Sequence, residues 1–212
     1  MLAINNLLKV ILIHISVFAL QMLVYWGTQF FAKKPNVIGN KFDEMIPFVP
    51  HFIFPYVSWY AILFFMPFVL YLYSLETYAL YVMSLVMVNL ITGVVYLVYP
   101  TTFDRPDPEG DGVSVKLVRK IYSMDTKILI CMPSLHCSLS TLFILAAAFA
   151  IEVPLVLRLV IIVISFLIIL STVFVKQHMV IDVITAVPLS VICWYIAMAI
   201  GADVFLSFFA FI

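Results

Sequence analysis

Charge is what this chain has least of. Only 10% of its 212 residues are charged, histidine occurs four times, and Lys+Arg 11 balance Asp+Glu 11. A chain with no net charge offers no field to draw nucleic acid, and no nucleic-acid module is legible, so that class is set aside. Glycine is scarce too, at six residues, and no repeat or low-complexity run divides the chain, which reads as a single domain over residues 1–212. The three cysteines, Cys131, Cys137 and Cys193, are too few and too scattered for a disulfide framework. Cys131 and Cys137 bracket His136, yet the short paired spacings of zinc sites are missing. They read as small apolar residues near helix starts, and neither a metal nor a cofactor is expected.

Apolar residues fill the space that charge leaves. The chain is 66% hydrophobic with a mean hydropathy of +1.21, far more than a soluble domain of this length can cover with a polar shell. Six segments are long enough to cross a hydrocarbon core, which takes about 20 helical residues. They lie near Leu7–Ala32, Phe52–Tyr73, Tyr78–Tyr99, Leu135–Ile151, Leu155–Phe174 and Met179–Ile200. Unbroken apolar runs lack the alternation of a membrane barrel strand, so the fold class is all-α, a polytopic bundle of six transmembrane helices. The first run is too long for a signal-peptide core and leads into Lys33-Lys34 without a small-residue cleavage pattern, so it reads as an anchor that stays. Pro55 and Pro67 are expected to bend the second span.

Two polar stretches stand out. Lys33 to His51 is expected to lie along the membrane interface as a short amphipathic piece. Pro100 to Met132 opens with turn-forming residues, and Lys116 to Tyr122 is expected to make one or two helical turns. With six crossings, the loops after the first, third and fifth spans share one face. That face collects Asp104-Arg105-Pro106, Pro133-Ser134-Leu135-His136 and Lys176-Gln177-His178, and the opposite face holds only Lys9 and Arg158 of the basic residues. The active site is expected at this membrane–water interface.

The chemistry follows from the residue types. Asp182 lies four residues after His178, one turn away on the same helix face, where it can accept from Nδ1 and leave Nε2 as a nucleophile. A purely structural histidine–carboxylate pair is the alternative, but an aspartate inside a span costs about 2.5–3.5 kcal/mol even on insertion scales. Ser134 is a candidate helix N-cap, and the amides behind it favour an anion beside His136, a candidate proton donor. Arg105 and Lys176 supply positive charge for phosphate oxygens. His14 and His51 have no such company and take the structural reading.

In this order the three islands resemble the motifs of the type 2 phosphatidic acid phosphatase superfamily: a basic segment ending Arg-Pro, a Pro-Ser-x-His, and a segment ending His-x-x-x-Asp. They correspond to Arg105-Pro106, Pro133 to His136, and His178 to Asp182. The resemblance covers the second half closely and the first half through the pattern of spans. Two positions depart from it: Val98 stands seven residues before Arg105 where the family has lysine, and Ser171-Thr172 stands where it has Ser-Arg. Lys176 is the candidate substitute for that arginine. Pro-Ser-Leu-His and Lys-Gln-His look more like the branch with inositol phosphorylceramide and sphingomyelin synthases.

The resemblance implies the haloperoxidase-like bundle of that superfamily and hydrolysis of a lipid phosphate ester or anhydride. In that chemistry His178 is the nucleophile, Asp182 its partner, His136 the acid and base, and Arg105, Lys176 and Ser134 hold the phosphate. Transfer of a phospho-headgroup to a second lipid alcohol is the rival within the same chemistry. A proton-coupled transporter is the rival from another class. The positive-inside rule puts the motif-bearing face in the cytoplasm, whereas many members of the superfamily act on the outer or lumenal side.

Overall fold

A computed structural model of the chain describes residues 2–31, 34–124 and 132–211, with residues 2–4 given by their backbone alone. Ala32 and Lys33 at the end of the first run, and Cys131, lie outside the described residues.

The apolar runs fold as helices. Helix α1 spans Leu2–Phe31, α3 Ile53–Tyr73, α4 Leu75–Val98, α6 Leu135–Phe149, α7 Leu155–Phe174 and α8 Val180–Ile200. All but α6 are long and apolar enough to cross a membrane. They mark the chain as a multi-pass integral membrane protein of all-helical fold. At 15 residues, α6 rises only about 22 Å, short of a hydrocarbon core of about 30 Å. Its sequence accounts for its place. Cys137, Ser138, Ser140, Thr141, Ala146 and Ala147 are small and buried, so neighbouring backbones close in on it, and α4, α7 and α8 all pack against it.

The helix contacts bury small polar residues within a largely apolar core, and the outer surface is apolar, as contact with lipid requires. Ser84, Asn89, Thr92, Ser138, Ser165 and Ser190 are fully buried, while Leu23, Phe30, Phe64, Leu159 and Val163 are exposed. One buried hydroxyl bonds helix to helix, Ser190 Oγ donating to Ser138 O at 3.0 Å. Gly93 lets α1 approach α4, since a Cβ there would meet Val24 Cγ1 at 3.1 Å.

Three shorter helices complete the chain. Helix α2, Lys41–Met45, lies in the first polar stretch, and α5, Val113–Met124, extends the turns expected over 116–122. Helix α9, Ala202–Phe208, follows Gly201, whose φ of +93° breaks α8 in a way glycine tolerates. Pro67 sits inside α3, but Pro55 falls in its first turn, where the missing N–H has no intrahelical acceptor in any case, so it has no ladder bond to disrupt.

The loops that join the spans at one end are bonded to one another. A two-residue parallel bridge pairs β1, Asn36–Val37, with β2, Thr101–Thr102. Val49 N donates to Phe174 O at 2.9 Å, and Met132 N to Thr101 Oγ1 at 3.1 Å. Tyr96 Oη donates to Pro133 O at 2.8 Å, and Ser134 N to Asp182 O at 3.3 Å. Helix α5 packs Val118 with Ile53, Tyr56 and Val175, across the start of α3 and the end of α7. The three polar islands therefore meet at this end of the bundle.

Candidate active site

The segment that carries His178 is built by the way α7 stops. Lys176 N donates to Val173 O at 3.2 Å and Gln177 N to Thr172 O at 2.9 Å, the paired bonds of a Schellman motif. Its left-handed position is held by Lys176, at φ +52°, where glycine is the usual occupant. The lysine is anchored: its ammonium donates to Asp43 O at 2.7 Å and Ile46 O at 2.6 Å on the opposite loop. Burial lowers its pKa, and the nearby Asp43 carboxylate pulls the other way. His178 N also donates to Thr172 O, at 3.0 Å, so the turn hands the chain to α8 with His178 just outside its first turn.

Asp182 is completely buried at the third position of α8. One oxygen, Oδ2, accepts from His178 Nδ1 at 3.0 Å and from Met179 N at 3.0 Å. The same carboxylate therefore caps its own helix and fixes the imidazole with Nδ1 as the donor. His178 keeps 12% of its side-chain surface exposed. A second carboxylate joins from far away in sequence. Asp43 caps α2 by accepting from Asn40 N at 3.0 Å through Oδ2, and it caps α8 by accepting from Val180 N at 2.8 Å through Oδ1.

The start of α6 forms the facing wall. Ser134 is its N-cap, fully buried, with Oγ accepting from Cys137 N at 3.2 Å. His136 follows in the first turn, where the earliest amides have no intrahelical acceptor. Its ring lies 5.9 Å from that of His178. On its other sides it contacts two aromatics of α3, Tyr56 at 4.8 Å and Trp59 at 4.4 Å between ring centroids. His136 Nε2 is buried without a protein partner among the described residues.

Arg105 reaches the same place from the long loop. Its Nη2 donates to Gln177 Oε1 at 2.8 Å, and its guanidinium lies 4.9 Å from the Tyr122 ring and 5.8 Å from the Phe103 ring. Burial pushes the Tyr122 phenol up to about 12, against the lowering pull of Arg105, so it stays neutral and donates to Val175 O at 2.7 Å. Phe103 packs on Met179 at the start of α8.

The fold thus joins His178, Asp182, His136 and Ser134 directly, and links Arg105 to them through Gln177. Lys176 belongs to the same turn, with its ammonium directed to the first loop. Thr172 occupies the position where the resembled motif has arginine; its side chain is buried, 3.4 Å from Cys137 Sγ. Sequence reasoning missed Asp43, Gln177, Tyr56, Trp59 and Tyr122. The Asn40-x-x-Asp43 spacing of a capping box and the i, i+3 aromatic pair of α3 were the available signals, and neither carries a functional meaning without its partner. Among the described residues no group of three or more His, Cys, Asp or Glu side chains could hold a metal ion.

Chemically, this is an oriented imidazole beside a second imidazole, a guanidinium and a capped helix start, at one end of a membrane helix bundle. No protein-family model, no curated protein and no solved structure matches the chain.

Proposed function

We propose that the protein is a membrane-embedded phosphoryl-transfer enzyme of the type 2 phosphatidic acid phosphatase kind, cleaving a lipid phosphate ester or anhydride at the membrane surface. In this reading α6 also crosses, as the fourth of six spans, shielded from lipid by its neighbours. The observation that carries the reading is the His178 Nδ1 to Asp182 Oδ2 bond at 3.0 Å, made to a wholly buried carboxylate with the His136 ring 5.9 Å away.

Each step follows from that arrangement. His178 Nε2 attacks phosphorus, the N–P bond forms, and the P–O bond to the lipid breaks. His136 gives its proton to the departing oxygen, and Asp182 stabilises the positive charge that grows on the His178 ring. Water then attacks the phosphohistidine while His136 takes its proton, the N–P bond breaks, and phosphate leaves. Arg105 and the α6 start capped by Ser134 steady the oxygens as charge shifts onto them. A lipid alcohol in place of water gives the transferase version of the second step.

The test is to incubate the purified protein with a panel of lipids carrying radioactive phosphate, and to follow free phosphate, new labelled lipids and acid-labile label on the protein. Label on His178 that is lost in His178→Ala is the expected result. A His178→Ala protein with near-normal turnover overturns the reading. Free phosphate without a new lipid identifies a phosphatase, and a new labelled lipid identifies a transferase.

A further inference from the structure

Gln177 is 4% exposed and lies between the anchored Lys176 and His178. Its contact with Arg105 fixes which way its amide faces. A guanidinium can only donate, so the partner at 2.8 Å from Arg105 Nη2 must be the amide oxygen. The NH2 end is thereby turned away from Arg105, and it is buried with no acceptor among the described residues. His136 Nε2 and Asp182 Oδ1 are likewise buried without partners. Asp182 holds the His178 ring and the His136 ring adjoins it, while Gln177 is the residue before His178 in the chain. A buried NH2 left without an acceptor is costly, so its natural complement is an acceptor oxygen brought in by the ligand.

We propose that Gln177 is a phosphate-binding residue of this site, its Oε1 holding Arg105 and its Nε2 donating to a phosphoryl oxygen. The inference rests on the phosphoryl-transfer reading above. It gives the neutral amide the role that the lysine beside it was expected to fill. The Lys176 ammonium donates to the Asp43 and Ile46 carbonyls and secures the left-handed turn. The amide, by contrast, is held by Arg105, and its NH2 is buried without an acceptor among the described residues. Arginine and glutamine then act as a unit, one contributing charge and the other direction.

The alternative role for Gln177 is to orient Arg105 and nothing more, and a double-mutant cycle separates the two. The probe is orthovanadate, with its affinity for the full-length protein in detergent measured by calorimetry. The variants are Gln177→Ala, Arg105→Ala, the double variant, and Gln177→Glu, which keeps the size and the acceptor oxygen but loses the NH2. Thermal unfolding of each variant identifies any that fail to fold, and the near-isosteric Gln177→Glu serves where alanine is not tolerated. Gln177→Ala is expected to weaken vanadate about tenfold in the wild-type background and again severalfold in the Arg105→Ala background, with Gln177→Glu at least as weak as alanine. An unchanged affinity in Gln177→Ala overturns the proposal. So does a loss that vanishes once Arg105 is gone, because the amide would then act only through the guanidinium. Absence of vanadate binding to the wild-type protein strikes the phosphoryl-transfer reading itself, and this inference with it.

Discussion

A histidine becomes a competent nucleophile at phosphorus only when its free nitrogen carries the lone pair, and in the proposed reading one hydrogen bond decides that for His178. Asp182 accepts from His178 Nδ1 and, with the same oxygen, from Met179 N, so the tautomer is tied to the first turn of α8. Asp182→Asn keeps the size but weakens both functions, and turnover is expected to fall at least ~100-fold in a protein that still folds in detergent. Steady-state kinetics with circular dichroism on the same sample checks this; a loss below tenfold would remove Asp182 from the mechanism. In the proposed reading His136 has a different task. Its loss should be mild for a substrate with a good leaving group, such as a nitrophenyl phosphate, and severe for a lipid phosphate whose alkoxide needs a proton. The ratio of the two activities in His136→Ala, relative to wild type, is the quantity to measure. Equal losses on both substrates would leave His136 as a positioning group.

The elements depend on contacts between distant loops. Helix α8 begins under two carboxylates, its own Asp182 and Asp43 from the stretch between the first two spans. Asp43 also accepts from Asn40 N, and its carbonyl accepts from Lys176 Nζ, so α2 and the α7–α8 turn form one unit. Asp43→Ala leaves the half-buried Val180 amide without its acceptor, a cost of about 1 kcal/mol. We expect a lower unfolding temperature together with a drop in kcat, and partial recovery of both in Asp43→Asn, whose side-chain oxygen can still accept. Unchanged kcat in Asp43→Ala would confine the residue to stability. The aromatic wall of α3 is a similar case. Tyr56 and Trp59 are one turn apart, so they present one face, and that face meets His136 only because α3 and α6 pack together.

At the scale of the whole molecule, topology decides whether the site can lie at a surface. If α6 crosses, its two flanking loops lie on opposite sides of the membrane. Cysteines introduced one at a time at exposed Glu109 and Glu152, Glu109→Cys and Glu152→Cys, in a Cys131→Ser background whose remaining Cys137 and Cys193 are buried, should then react oppositely with a membrane-impermeant maleimide in sealed vesicles. Equal reactivity from one side would make α6 a re-entrant helix. Ten of its 15 residues are buried, and it packs against α4, α7 and α8, so a full lipid-spanning length is not required of it.

The sequence by itself determined the features that depend on near neighbours and on solvent. Long apolar runs become helices because lipid leaves the backbone no other partner, and His178 with Asp182 is a matter of one helical turn. Ser134 caps α6 because its hydroxyl reaches an amide three residues on. Only the tertiary structure decided that Gln177 holds Arg105, that Asp43 caps α8, and that Tyr56 and Trp59 flank His136. Those partners are far apart in the chain, and nothing in the composition of a loop tells it which other loop it will meet. That choice belongs to helix packing, where small residues draw α6 to the centre and carry three polar islands to the same end of the bundle.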